Sequence, residues 1–273
     1  MNKLRAFASL VLASIIWLAA GPALAGRSCE AEHPPKAITV QRGMLLAERT
    51  MAGLDKSGAD VVVLARAGQD LRKYGLQYSH LGFAYREKTT TGGTVWRVLH
   101  KLNQCGTSES AIYKQGLGEF FLDDLWRFDA AWIVPTREVQ DRLLVLLQQQ
   151  DRAIRLHSKP YSIVSYVWGQ RYQQSNQWAI ETLAAAMEPQ IATRDKAQAW
   201  LRFKGYEPTT LRIGPLQRLG GRMTSTNVAF DDHPSELRFS DRIETVTVDS
   251  VFAWLQRAQL GGAPVVLSLR ASY

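Results

Sequence analysis

The stretch that decides the fold is residues 77–100, which read QYSHLGFAYREKTTTGGTVWRVLH. It contains two runs of alternating apolar residues, separated by the turn-forming residues 89–93. Alternation with a period of two predicts β-strands, and a short connection with glycine predicts that the strands pair antiparallel as a hairpin. Successive side chains of a strand point to opposite faces, so one residue from each strand can meet on a shared face. The sequence therefore predicts that His80 and His100 lie within reach of each other.

These two histidines are the first candidates for a functional site. The chain contains 5 histidines, and imidazole is the side chain that ionises nearest to neutral pH. Two of them in one apolar hairpin indicate either a site that moves protons or two histidines that are satisfied structurally within a sheet. The hairpin alone leaves both interpretations open.

The N-terminus has the pattern of a secretory signal peptide over residues 1–25. A basic start precedes an apolar stretch, and Ala23-Leu24-Ala25 forms a small-x-small cleavage site. A retained membrane anchor is the alternative, but the stretch is short for a span and Gly21-Pro22 interrupts it. We therefore expect cleavage after Ala25, a periplasmic or secreted protein, and no stable membrane span in the mature chain.

Composition narrows the classes of partner. The formal charge is +8, and lysine and arginine are spread along the chain without a basic block. This distribution lacks the signature of a nucleic-acid-binding protein, whereas it suits contact with an anionic cell envelope. We expect no nucleic-acid partner.

Cysteine and acidic patterns bear on redox state and metals. Cys29 and Cys105 are the 2 cysteines, and in an oxidising compartment one disulfide between them is the economical use. A reactive thiol or a metal ligand pair is the alternative, but no nearby histidine or cysteine has zinc-ligand spacing.

The run 231–234, Asp-Asp-His-Pro, offers metal ligands but is also typical of a turn. We expect no metal and no cofactor.

The rest of the chain alternates between helical and strand-like patterns. A first helix is predicted to bury a stripe of five apolar residues, and residues 61–64 form a buried strand. Residues 105–127 are turn-rich with a short helix, and Thr136 caps a helix with four buried apolar residues. Beyond residue 203 the pattern is strand-like, with a last helix capped by Asp249. The two predicted stripes are Val40, Met44, Ala47, Met51 and Leu54, and Val139, Leu143, Leu146 and Leu147.

Ser175 precedes a good helix-forming run, residues 179–187. A serine at this position has the ordinary role of an N-cap, accepting a hydrogen bond from an amide two or three residues on. A nucleophile uses the same position because exposed amides and the positive end of the helix dipole stabilise developing negative charge. Position alone does not separate these two interpretations.

Four sequence segments together resemble the permuted branch of the papain-like NlpC superfamily, which includes the lecithin-retinol-acyltransferase-like proteins. In that branch a strand that begins with Asp is followed by a strand with the pattern H-x-G-[IV]-x-[YV]. The next strand carries a polar residue, often His. A Cys then opens a later helix. The corresponding segments are Asp60-Val61-Val62-Val63, Ser79-His80-Leu81-Gly82-Phe83-Ala84-Tyr85, Val98-Leu99-His100 and Ser175-Asn176-Gln177-Trp178-Ala179. The resemblance covers residues 39–187, and the family cysteine is replaced by Ser175. The whole chain also resembles a family of secreted bacterial proteins of unknown function.

The resemblance implies an α+β fold, an antiparallel sheet flanked by helices with a circularly permuted papain-like (NlpC-type) topology. The papain-like domain would span residues 26–190, with a C-terminal α/β extension at 191–273 packed on it. It implies catalytic roles for three residues and a substrate-binding or oxyanion-binding role for several aromatic ones. The catalytic residues would be Ser175 as nucleophile, His80 as general base and His100 as orienting residue; the aromatic candidates are Tyr78, Tyr161, Tyr172 and Trp178.

Three functions remain open at this stage. The first is a hydrolase or acyltransferase that acts on a peptide amide or acyl ester of the cell envelope. The second is a catalytically degenerate relative that binds an envelope peptide, glycan or protein, because serine is a poor nucleophile until a base removes its proton. The third is a structural envelope protein without a ligand.

Overall fold

The structure is a computed structural model that describes residues 35–123 and 125–269. The predicted signal peptide and Cys29 lie outside these ranges, so cleavage and the Cys29–Cys105 disulfide stay predictions. Within the described part of the chain no cysteine is free. No helix there is long and apolar enough to cross a membrane.

The described residues form helices and strands in an alternating order. The strands are β1 (Val61–Ala67), β2 (His80–Lys88), β3 (Thr94–Asn103), β4 (Ser110–Gly116), β5 (Arg127–Ile133), β6 (Thr209–Arg212), β7 (Arg242–Thr245) and β8 (Val265–Ser268). The helices are α1 (Ala37–Lys56), α2 (Leu117–Leu122), α3 (Arg137–Gln148), α4 (Gln150–Ala153), α5 (Ser175–Met187), α6 (Arg194–Phe203), α7 (Pro215–Thr224), α8 (Ser235–Arg238) and α9 (Val248–Arg257). A 3₁₀ turn spans Arg72–Tyr74.

A six-stranded sheet in the order β4-β3-β2-β1-β5-β8 organises the fold. All neighbouring strands pair antiparallel, and helices cover both faces. This confirms the predicted mixed α+β class with an antiparallel sheet flanked by helices. The predicted hairpin is β2 and β3. Strand β8, from the C-terminal part of the chain, completes one edge of this sheet, while β6 and β7 form a separate pair.

The two faces of the sheet carry separate apolar cores. On one face Leu81 and Phe83 of β2 pack with helices α3, α5, α6 and α9. On the other face Ala84 packs with α1 and α2, the latter through Phe120 and Phe121. Side chains of a strand alternate between faces, so a strand covered on both sides reads as a continuous apolar run. Strand β1, buried along its whole length, shows this pattern.

The predicted buried stripe of α1 is wrong at two positions. Met44 and Met51 are 49% and 45% exposed, and Gly43, Leu46 and Thr50 face inward with the correctly predicted Ala47 and Leu54. The reason is a close approach to α2, because a Cβ on Gly43 would lie 2.9 Å from the Phe121 carbonyl oxygen. The helix therefore turns its glycine, and not its methionines, toward the core.

In α3, by contrast, the predicted stripe is buried and the predicted cap is present. Val139, Leu143, Leu146 and Leu147 are all buried, and Thr136 accepts a hydrogen bond from the Val139 amide.

Three elements differ from the sequence expectations in the remaining segments. Strand β4 lies within the segment predicted to be turn-rich, and helix α7 lies within the part predicted to be strand-like, where residues 227–230 form no strand. The last helix is capped by Thr247, whose hydroxyl accepts from the Ser250 amide. Asp249 instead accepts a hydrogen bond from the Gln77 amide at 3.1 Å. Long-range partners, which local patterns do not report, pair β4 with β3, hold α7 through Arg218 and draw Asp249 to Gln77.

Candidate functional site

The site is built where β2 and β3 stop pairing. The β2–β3 ladder runs from Lys88–Thr94 to Phe83–Leu99 and ends before the two histidines. A Cβ at Gly82 would lie 2.8 Å from the His100 Cβ and 3.0 Å from the Leu99 carbonyl oxygen. Glycine at this position therefore lets the His100 side chain lie across β2, on the same face as His80.

Gly82→Ala is expected to destabilise the protein by ~1–3 kcal/mol, because an added methyl group in a packed region forces its neighbours to move. The obstructing atoms include backbone, which cannot rotate away. Urea unfolding followed by far-UV circular dichroism measures the effect. Gly220→Ala is the matched control, since nothing lies within 4 Å of its added Cβ. Equal losses of stability in the two variants would contradict this explanation of Gly82.

Three side chains form a hydrogen-bonded chain across neighbouring strands. His80 Nε2 lies 2.8 Å from His100 Nδ1, and His100 Nε2 lies 2.8 Å from Gln115 Oε1 on β4. The two imidazole rings meet edge to face, with centroids 5.1 Å apart. The predicted proximity of His80 and His100 is thus a direct contact.

Gln115, at the end of this series of hydrogen bonds, sets the tautomer of each imidazole ring. A carboxamide oxygen only accepts, so His100 Nε2 carries a proton and, in a neutral ring, His100 Nδ1 is an acceptor. His80 Nε2 must then donate to His100. A neutral His80 consequently keeps its lone pair on Nδ1, which has no hydrogen-bond partner within the described part of the chain.

Both histidines are held neutral by their surroundings. Burial lowers the pKa of His80 well below its ordinary value, with the Arg66 charge adding to the effect. Burial likewise lowers the pKa of His100 to about 4, again with help from Arg66. Arg66 lies directly across from His80 on β1, its guanidinium is 4.7 Å from the Phe120 ring centroid, and it forms an ion pair with Asp123. Both imidazoles are therefore unprotonated at neutral pH.

The first turn of α5 docks beside His80 through Asn176. The Asn176 carboxamide oxygen accepts from the Leu81 amide at 3.1 Å, and its Nδ2 lies 3.5 Å from the Ser79 carbonyl oxygen. The Asn176 side chain thus contacts the backbone on both sides of His80. Asn176 thereby satisfies backbone groups at the start of β2 that have no partner on β3, because they lie beyond the end of the β2–β3 ladder.

Ser175 does not cap its helix. The N-cap of α5 is Gln174, whose side chain accepts from the Asn176 amide at 2.8 Å. Ser175 is the first helical residue and is 5% exposed. Its hydroxyl interacts with the Tyr161 side chain, which lowers the pKa of Tyr161 against a larger rise caused by burial. The capping interpretation of Ser175 is wrong.

The structure brings some of the predicted site residues together and not others. His80 and His100 touch, and Ser175 lies in the helix turn docked beside His80, next to Tyr161. Within the described residues no hydrogen bond joins Ser175 to His80.

The remaining aromatic candidates lie in other surroundings. Trp178 has no exposed surface and packs edge-on against Phe83, with ring centroids 6.1 Å apart. Tyr78, just before β2, packs against Phe252 at 6.4 Å. Tyr172 makes no hydrogen bond to Ser175 within the described residues; burial raises the pKa of Tyr172, and the Asp231 charge adds to this.

The Asp231-Asp232-His233 turn is held by protein contacts. Asp232 accepts from the Tyr166 amide at 2.8 Å, His233 Nδ1 is 3.0 Å from Asp232 Oδ1, and Asp231 pairs with Arg171 at 2.7 Å. Over residues 35–123 and 125–269, no group of three or more His, Cys, Asp or Glu side chains is arranged to hold a metal ion.

A family model now places the chain among known sequences. The model of a family described as "Uncharacterized protein conserved in bacteria (DUF2145)" matches residues 53–255. The chain belongs to DUF2145. No curated protein and no solved structure matches it. The DUF2145 match includes both histidines, Ser175 and most of the predicted C-terminal extension.

Sequence reasoning missed two polar residues around the candidate site of this DUF2145 chain, Gln115 and Lys101. Gln115 was missed because β4 was not predicted. Lys101 donates at 2.7 Å both to the Ser158 carbonyl and to Gln173 Oε1, and burial lowers its pKa to about 6. A signal for Lys101 existed, since two-residue alternation from Leu99 places it on the apolar face of β3.

Proposed function

We propose that the chain is a papain-like hydrolase or acyltransferase of the cell envelope, with the permuted NlpC-type topology, that uses Ser175 as nucleophile and His80 as general base. The order of elements supports the topology: a buried strand, the H-x-G strand and a histidine strand are followed by a helix that opens with Ser175 and docks on β2 through Asn176. The observation that carries the activity is the Gln115–His100–His80 chain. It leaves a neutral imidazole with its basic nitrogen available, as general base catalysis requires.

The chemistry follows from these positions. Ser175 Oγ forms a bond to the carbonyl carbon of an amide or ester while its proton passes to His80 Nδ1. The resulting imidazolium is stabilised by its Nε2–H bond to His100. The Ser175 amide, at the positive end of α5, and the Tyr161 hydroxyl are the donors for the developing oxyanion. The leaving amine or alcohol then takes the proton from His80, and water or an acceptor alcohol releases the acyl group.

Attack requires the Ser175 hydroxyl to leave Tyr161 and to come within hydrogen-bond reach of His80, whose ring packs against Phe120. Such contacts are often long without substrate and tighten in the substrate complex. A substrate carbonyl that accepts from Tyr161 would release Ser175 for this movement.

A second function has its own supporting observation. Ser175 and His80 are 5% and 9% exposed, and no hydrogen bond joins them within the described ranges. These features favour a degenerate relative that binds an envelope peptide, glycan or protein without turnover. The two functions differ in whether Ser175 is activated.

Labelling with a fluorophosphonate and an activated acyl ester separates the two functions. For the enzyme we expect one label on Ser175, found by intact mass and peptide mapping, that is lost in Ser175→Ala and His80→Ala. Ser165→Ala is the matched control because Ser165 is also buried and contacts the same helix turn through Gln177 at 2.9 Å. It should keep the label. Circular dichroism verifies that each variant is folded.

Gln115 provides an internal test of the tautomer argument. Gln115→Leu removes the acceptor that orients both rings and is expected to slow labelling by roughly tenfold to hundredfold, as loss of such supporting hydrogen bonds does. Gln115→Glu keeps an acceptor and should retain most of the rate, with a shifted pH profile. No label on folded wild type, together with Ser175→Cys inert to thiol probes at neutral pH, would reject the enzyme and leave the binding function.

A further inference from the structure

Helix α7 presents its apolar side to solvent. Leu216, Leu219 and Met223 lie at positions i, i+3 and i+7, which form one stripe along a helix. They are 84%, 56% and 78% exposed. In most surface helices the apolar stripe faces the core, so this arrangement is inverted.

Arg218 holds the helix in this orientation. It is the buried residue of α7 and donates to four carbonyl oxygens: Ile213 at 2.9 Å, Leu237 at 3.2 Å, Arg238 at 2.8 Å and Arg242 at 2.9 Å. A buried guanidinium is stable only when its donors are satisfied. Rotating α7 to bury its leucines would break these bonds, so the exposed stripe is fixed by the fold.

The same contacts tie α7 to the end of α8, where a further apolar side chain is exposed. Arg218 reaches the end of α8, and Phe239 follows α8 directly and is 82% exposed. We refer to Leu216, Leu219, Met223 and Phe239 as the apolar stripe. Isolated exposed apolar residues need no explanation, but several along one side of a helix mark a contact surface.

Exposed arginines lie close in sequence to the members of the apolar stripe, and the Arg238 guanidinium is 5.7 Å from the Phe239 ring centroid. Arg212, Arg222 and Arg238 are exposed and form no ion pair within the described residues. The exposed acids nearby are Glu236 and Asp241, and Asp241 lies 4.0 Å from the Arg242 guanidinium. Helix α7 itself contains no acid. An apolar stripe with exposed arginines close to it in sequence complements a membrane surface, where acyl chains lie below anionic head groups.

We propose that the apolar stripe docks on the surface of a bilayer that contains anionic lipids. Helix α7 would lie in the plane of the interface, with the stripe among the head groups and Arg212, Arg222 and Arg238 on lipid phosphates. At ten residues the helix is far too short to span a bilayer. This docking is independent of whether Ser175 is activated.

Vesicle flotation tests the proposal with the chain from residue 26 onward, which retains every described residue. The vesicles contain either phosphatidylglycerol and phosphatidylethanolamine or phosphatidylcholine alone. We expect flotation with the anionic vesicles that decreases as salt is raised. Phe239→Ser should weaken partitioning about tenfold, from lost apolar burial, and Arg222→Glu roughly thirtyfold, from the reversed charge.

Two matched controls and one alternative complete the test. Phe203 is 82% exposed, as Phe239 is, and Phe203→Ser should leave partitioning unchanged; so should Arg155→Glu, at another exposed arginine. Absence of flotation, equal binding to phosphatidylcholine, or an equal effect of Phe203→Ser would overturn the proposal. A further contrary result would be a dimer in sedimentation experiments, lost in Phe239→Ser, together with no flotation. The apolar stripe would then bind a second copy of the chain.

Discussion

Glu181→Ala is expected to lower the free energy of unfolding by ~3–5 kcal/mol, the usual cost of leaving a buried charge without its partner. Glu181 lies on α5 with no exposed surface. Its carboxylate accepts from Arg194 at 2.8 Å, from Gln198 at 2.8 Å and from Gln173 at 2.6 Å. Removing it leaves the Arg194 charge buried without its counter-ion and takes one acceptor from each carboxamide, which then keep the Leu156 and Gly169 carbonyls.

Glu138→Ala is the control for this substitution. Glu138 pairs with Arg142 at 2.9 Å, but its side chain is 66% exposed. Exposed pairs contribute at most ~1 kcal/mol, so the urea midpoint should shift little. Similar shifts in the two variants would show that the buried carboxylate adds nothing beyond a surface ion pair. Because Gln173 also binds Lys101, we expect Glu181→Ala to loosen the start of α5 as well.

Acidification is expected to destabilise the protein between pH 6.5 and about 4 through His100. Burial holds the folded-state pKa of His100 at about 4, whereas an unfolded histidine titrates near pH ~6.5. The unfolded state therefore binds the proton first as pH falls, so the contribution is complete above pH 6.5 and is lost toward pH 4. A difference of this size corresponds to about 3 kcal/mol.

The measurement is the free energy of unfolding from urea titrations at several pH values, for wild type and His100→Gln. Glutamine preserves hydrogen-bonding capacity but does not titrate in this range. The difference between the two profiles isolates the histidine, since carboxylates contribute to both. Parallel profiles between pH 6.5 and 4 would mean that His100 is not held neutral by burial.

Much of the sheet was predictable from local patterns. The hairpin was predicted because two-residue alternation and a glycine turn both specify it, and α3 because its stripe and its cap agree. The rotation of α1 was not predictable, since the fit of Gly43 against α2 depends on a helix that begins 74 residues later, at Leu117. The orientation of α7 was not predictable for a similar reason. The hydrogen bonds of Arg218 to distant carbonyl groups fix the helix against the orientation that its apolar pattern favours.

The candidate site was predictable in its residue types and less so in its hydrogen bonds. The spacing of His80 and His100 predicts their contact, because they lie on one face of adjacent strands. The direction of the hydrogen bonds was not predictable, since it depends on Gln115 in an unexpected strand. The cap of α5 lies one residue before the serine because the Gln174 side chain folds back and accepts a hydrogen bond from the Asn176 amide.

The bonds of Asn176 to β2 have a consequence for the order of folding. They join residues 95 positions apart in the chain, whereas the β1–β2–β3 meander forms from neighbours. Closing a long loop costs more entropy than closing a short one, so contacts of high sequence separation tend to form late. The meander is therefore expected to fold first, with both histidines in place, and the serine to arrive only when α5 docks. A partly folded chain would then hold the two proposed bases without the proposed nucleophile.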